Sequence, residues 1–124
     1  MIRIVNRAIV LEEMLDSLKS DESGSVVMHM GIVRPSKKLA SIEYQSEKEE
    51  AEKELSHIVR DVKDKWEIQD IALCRRMGKL NPEEIILVSA VSAPHRREAF
   101  EACQYAVEQL RGMTSVKKRE IYEE

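Results

Sequence analysis

The chain has 124 residues, 43% hydrophobic and 35% charged, which supports one folded domain over residues 1–124 and excludes a disordered chain. A net charge of −3 and an aromatic content of 4% argue against an overall basic field for nucleic acid and against base-stacking platforms. No run approaches the roughly 18 apolar residues of a membrane span, and charges break up the apolar start "MIRIVNRAIVLEEML" where a secretion signal needs an uninterrupted core.

These features predict a cytoplasmic protein without membrane or nucleic-acid partners. Cys74 and Cys103 are far apart and outside any C-x-x-C pattern, so they read as reduced structural thiols. His29, His57 and His95 lack ligand spacing, and no metal site is expected.

In chain order, "IRIV" reads as a short strand. Leu11, Met14, Leu15 and Leu18 follow at helical spacing, closed by the polar "SDESG". "SVVMHMGIVR" (25–34) reads as a strand interrupted by Gly31. The turn "PSKK" leads to a second strand around "ASIEYQ", and this pair predicts a β-hairpin. Ser46 and Glu49 have capping-box spacing at the start of a long helix. Its Ala51, Leu55, Ile58, Val59, Val62 and Trp66 define a buried face.

"IQDIALCRRM" is a further strand, followed by a turn at Gly78 and "NPEE". The nearly continuous apolar run "IILVSAVS" predicts a strand covered on both faces. A helix starting at Pro94 carries Ala99, Cys103, Ala106 and Leu110 along one line, with Phe100 and Val107 beside it. "SVKKREIY" closes as a strand. The interleaving of strands and helices predicts an α+β fold, a mixed or antiparallel sheet with helices packed against it.

Chemistry gathers at three basic sets. Pro94 suits a first helical position, which puts His95 and Arg96 in a first turn where positive charge opposes the helix dipole. An anion offsets that cost, and so does pairing with Glu98 or Glu101. Arg34 ends a strand beside a turn, where a side chain can reach a sheet rim. Arg111 ends the later helix, and Lys117, Lys118 and Arg119 follow it. Taken singly, Arg111 also reads as a dipole complement and the KKR run as surface charge.

Three segments, taken together, resemble the large, catalytic subunit family of molybdopterin synthase. "GSVVMHMGIVR" is similar to that family's G-x-V-V-x-F-x-G-x-V-R. "RRMGKLNPEEIILVSAVSAPHRREAFEACQYAVEQLR" resembles its R-x-G-x-L stretch and the V-x-V-S-x-x-H-R-x-x-A-F-x-A segment, and "VKKRE" its closing W-K-K-E.

The resemblance implies an α/β hammerhead-type fold and a homodimer within a heterotetramer. Each copy then takes one small ubiquitin-like sulfur carrier whose Gly-Gly tail ends in a thiocarboxylate. It implies transfer of that sulfur to cyclic pyranopterin monophosphate, giving the dithiolene of molybdopterin, with no cofactor. By position it assigns substrate binding to Arg34, His95, Arg96, Arg111, Lys118, Arg119 and Glu120.

Lys118 is the principal catalytic group on this reading, and burial near other cations is expected to lower its pKa. Arg111 stands where the family usually has a second lysine and acts as an electrostatic clamp. Lys117 replaces a usual tryptophan and Ser115 a usual proline. The alternative is a divergent, non-catalytic relative that binds a ubiquitin-like tail or a small anion.

Overall fold

The computed structural model describes residues 1–18 and 22–123. They form β1 (Ile2–Val5), α1 (Leu11–Asp16), β2 (Ser25–Ile32), β3 (Leu39–Gln45) and α2 (Lys48–Lys65). β4 (Asp70–Arg76), β5 (Gly78–Leu80), β6 (Ile85–Ala93), α3 (Arg96–Arg111) and β7 (Lys117–Tyr122) follow. The segment expected to close α1 falls partly outside the described residues.

A four-stranded sheet has the order β1-β4-β6-β2 and a three-stranded sheet the order β5-β3-β7. Among the described residues, β1 and β4 are the one parallel pair. This is the expected α+β architecture, with one correction: β2 and β3 form no hairpin. β6 is a nine-residue apolar strand that needs a neighbour on each edge. β2 supplies one along its full length, from Ser25 opposite Ala93 to Ile32 opposite Ile85. β3 instead lies between β5 and β7 in the second sheet. β2 also stops two residues short of Arg34, with a register shift between Gly31 and Ile32.

The first sheet is covered on both faces because successive strand side chains alternate. On one face, Ile71 and Leu73 of β4 and Leu87 and Val91 of β6 pack against Leu55, Ile58 and Val62 of α2 and Ala102, Ala106 and Leu110 of α3. On the other, Ala72, Cys74, Val88 and Ala90 meet Met14 and Leu18. The double coverage expected of "IILVSAVS" is therefore present. Val33, Ile42, Tyr44, Met77 and Leu80 form a third cluster around the smaller sheet. Two residues read into or beside apolar stripes point outward: Leu15 is 38% exposed and Phe100 is 61% exposed.

Both helix starts lie later than expected. The N–H of Ala51 donates to the carbonyl of Glu47 (3.0 Å), which makes Glu47 the cap of α2 and leaves the Ser46–Glu49 box unformed. In α3 the cap is His95, extended at φ −126° and ψ 144°, so Pro94 precedes the helix and Arg96 is its first residue. Gly24 holds this corner in place. Its N–H donates to the carbonyl of Ala93 (3.1 Å), and a Cβ on Gly24 would sit 2.3 Å from the carbonyl oxygen of Pro94.

Candidate functional site

A cleft of about 550 Å³ opens between the two sheets at the C-terminal end of α3. Pockets of this size take small-molecule ligands. The charged lining residues arrive by several local devices. Val33 is fully buried, donates its N–H to the Glu84 carbonyl (2.9 Å) and accepts the Glu83 N–H (2.8 Å). That clasp sets the next residue, Arg34, at the rim. Arg111 ends α3, and the chain turns away at Gly112, whose N–H donates to the carbonyls of Glu108 and Gln109.

On β7, alternation puts Lys118 and Glu120 on the cleft side. Lys118 Nζ lies 3.1 Å from Glu120 Oε1. The Tyr122 hydroxyl also donates to Glu120. These two contacts, Tyr122 first, hold the Glu120 carboxyl below its ordinary range. The Lys118 side chain is 51% exposed, so the burial expected of it is not observed. Arg119, the residue between, does not line the cleft. It stands opposite Glu43 on β3 and pairs with it at 3.4 Å.

Two cleft residues, Arg75 and Tyr44, are absent from the site residues read in the sequence. Arg75, next to last in β4, is only 6% exposed, and its guanidinium carbon lies 4.7 Å from the centre of the Tyr44 ring. Burial pushes Arg75 below the usual arginine value, and the nearby charge of Arg111 acts in the same direction. Its signal was present, since Ile71, Leu73 and Arg75 share one phase of β4 and the first two point into the core.

Glu54 of α2 is the third omission, outside the cleft. Its carboxylate accepts the N–H groups of Thr114 (3.1 Å) and Ser115 (2.5 Å), tying the turn before β7 to α2. Partial burial raises its pKa, but the hydrogen bonds from Ser115 and Thr114 outweigh that and hold it below the ordinary value.

His95 and Arg96 do not join this group. They sit at the other end of α3, about 24 Å along its axis from Arg111 at 1.5 Å per residue. His95 borders a separate hollow with Trp66 and Glu98. The local pairing with Glu98 or Glu101 is not formed: Glu101 is taken by Arg97 (3.1 Å) and by the Trp66 indole N–H (3.4 Å), and Glu98 Oε2 is buried without a hydrogen-bond partner among the described residues. Among the described residues, neither His95 nor Arg96 has an ion-pair partner.

Both cysteines are free and buried. Burial pushes the Cys74 thiol up to about 11 and raises Cys103 as well, which makes both poor nucleophiles. Among the described residues, no three His, Cys, Asp or Glu side chains gather in a metal-holding group. No helix among them is long and apolar enough to cross a membrane.

Residues 4–113 match the family described as MoaE protein. The molybdopterin synthase catalytic subunit of Bacillus subtilis is 32% identical over 98% of this chain and 79% of its own length. The structure of molybdopterin synthase from Staphylococcus aureus superposes with a TM-score of 0.92 at 31% identity, over 98% of this chain and 90% of that one. A complex of subunits 1 and 2 of molybdopterin-converting factor from Helicobacter pylori contains the same fold, with a TM-score of 0.80 over 98% of this chain and 88% of that one. At 14% identity that likeness concerns the fold alone. The matched span carries Arg34, His95, Arg96 and Arg111 and stops short of β7. With nine-tenths of its length inside the family match and a near-complete structural superposition, the chain belongs to the MoaE protein family.

Proposed function

We propose that this chain is the catalytic subunit of a molybdopterin synthase. It moves sulfur from the thiocarboxylated tail of a small sulfur-carrier subunit to cyclic pyranopterin monophosphate. The observation that carries the reading is the convergence of Arg34, Arg111 and Lys118 on one cleft. The phosphate and the tail are both anionic, and guanidinium groups bind such oxygens through paired N–H donors. Arg111 stays protonated, so its role is to hold charge. Lys118 is the one cleft cation that can give up and regain a proton at the reacting sulfur, and Glu120 orients it.

The family resemblance assigns His95 and Arg96 to the same anionic substrate, yet α3 separates them from Arg111 by more than one small pterin spans. A homodimer reconciles the two: one copy supplies Arg34, Arg111 and Lys118, and the other supplies His95 and Arg96. β2, an edge strand with Val26, Met30 and Ile32 exposed, offers apolar surface for such an association. Two small subunits then complete a heterotetramer in the cytoplasm, and the domain acts as one unit over residues 1–124.

The test is to mix the protein with thiocarboxylated carrier and cyclic pyranopterin monophosphate and look for molybdopterin. Product is expected from the native chain. The presence of Arg111 at the usual lysine position favours a second reading, a binder of the tail that transfers no sulfur. Carrier bound without any product would select it.

A further inference from the structure

Arg75 lies deeper than the other cleft cations, and among the described residues its charge has no ion-pair partner. It is 6% exposed, and its Nε has no hydrogen-bond partner among them. The contrast with neighbouring Arg76 is informative, because Arg76 meets Glu84 at 3.2 Å. An arginine buried for structural reasons is ordinarily paired, since a charge removed from water without a partner is destabilising. The face of the Arg75 guanidinium is occupied by the Tyr44 ring, which leaves its N–H edge for a ligand. Arg111 lines the same cleft and adds positive potential, while the one lining carboxylate among the described residues, Glu120, is already engaged by Lys118 and the Tyr122 hydroxyl.

We infer that Arg75 is an anion-binding residue on the floor of this cleft, and that it takes an oxyanion of the bound reactants through its guanidinium edge. Two reactants of the proposed reaction carry such oxygens: the terminal carboxylate-type group of the carrier tail and the phosphate of the pterin. The inference rests on the proposed function for those identities, but the oxyanion chemistry stands on Arg75 and its surroundings alone.

The experiment compares the native protein with Arg75→Met and Arg75→Lys in two binding titrations, one with inorganic pyrophosphate and one with a synthetic peptide ending in Gly-Gly carboxylate. Thermal melting is recorded without ligand. In Arg75→Met, removal of an unpaired buried charge leaves the melting temperature unchanged or higher. Affinity falls roughly ten- to a hundredfold in at least one titration, as for loss of a charged hydrogen bond. Arg75→Lys keeps the charge without the fork and loses affinity in the same titration.

Loss in the pyrophosphate arm assigns Arg75 to the phosphate, and loss in the peptide arm assigns it to the tail. Unchanged affinity in both arms with a lower melting temperature overturns the inference and makes Arg75 a packing partner of Tyr44. If Arg75→Met does not fold, the Nε–H resonance of Arg75 in the native protein decides: it shifts on addition of the ligand, or the inference fails. None of these readouts requires turnover. Failure of the native protein to make molybdopterin counts against the proposed function and leaves the assignment of Arg75 standing.

Discussion

Lys118 and Glu120 share one face of β7 because they are two residues apart, and their contact at 3.1 Å aims the ammonium into the cleft. Replacing Lys118 with alanine should lower turnover by roughly a hundred- to ten-thousandfold. Lys118→Arg, which keeps charge but cannot release a proton, should fare little better. Rate and carrier affinity measured together separate chemistry from binding, and carrier affinity should change far less than rate. Arg111→Lys restores the residue usual in the family and should preserve or raise turnover; a large loss would show that the guanidinium fork is needed there. At this scale the cleft was legible in part: Arg111 stands at its helix end, Arg34 reaches the rim two residues beyond its strand, and Lys118 and Glu120, which the resemblance singles out, line the cleft from β7. Arg75 was not, although its phase with Ile71 and Leu73 marks it as inward-facing. A charged residue at the end of an apolar strand reads as the strand's exit into solvent, and only the second sheet, whose Tyr44 ring covers the guanidinium, makes it interior.

Among the elements, β7 owes its placement to the turn that Glu54 holds against α2. The lowered pKa of Glu54 means its contribution is present above its ordinary value of 4.5 and is lost as pH falls through the depressed one. Glu54→Ala should therefore cost on the order of 1 kcal/mol at neutral pH, since charged hydrogen bonds at a largely solvated site are screened. Denaturation curves of the two proteins should converge as pH drops below 4.5. A difference that persists in acid would assign the effect to packing instead.

Periodicity located the longer strands and helices but not their partners. The hairpin between β2 and β3 failed because β6 competes for β2 through sequence-distant contacts, which local turn signals cannot report. β5, at three residues, is too short to show a period. The helix starts shifted because backbone bonds and the close contact of Gly24 with Pro94 set the caps, whereas side-chain spacing suggested earlier ones.

At the scale of the whole molecule, α3 acts as a spacer with one set of cations at each end. If a homodimer brings opposite ends together, an inactive Lys118→Ala protein and an inactive Arg96→Ala protein should complement when mixed and allowed to exchange subunits. One site in each mixed dimer then regains both groups. Activity that stays at the level of the separate variants after demonstrated exchange would show that each copy works alone. The decisive measurement follows sulfur itself. A carrier labelled at its thiocarboxylate sulfur is given to the native protein with cyclic pyranopterin monophosphate under single-turnover conditions. Label should move into the pterin product with the native chain and remain on the carrier with Lys118→Ala. Label retained on a carrier that is bound to the native protein would mean that the cleft binds the tail but does not transfer its sulfur.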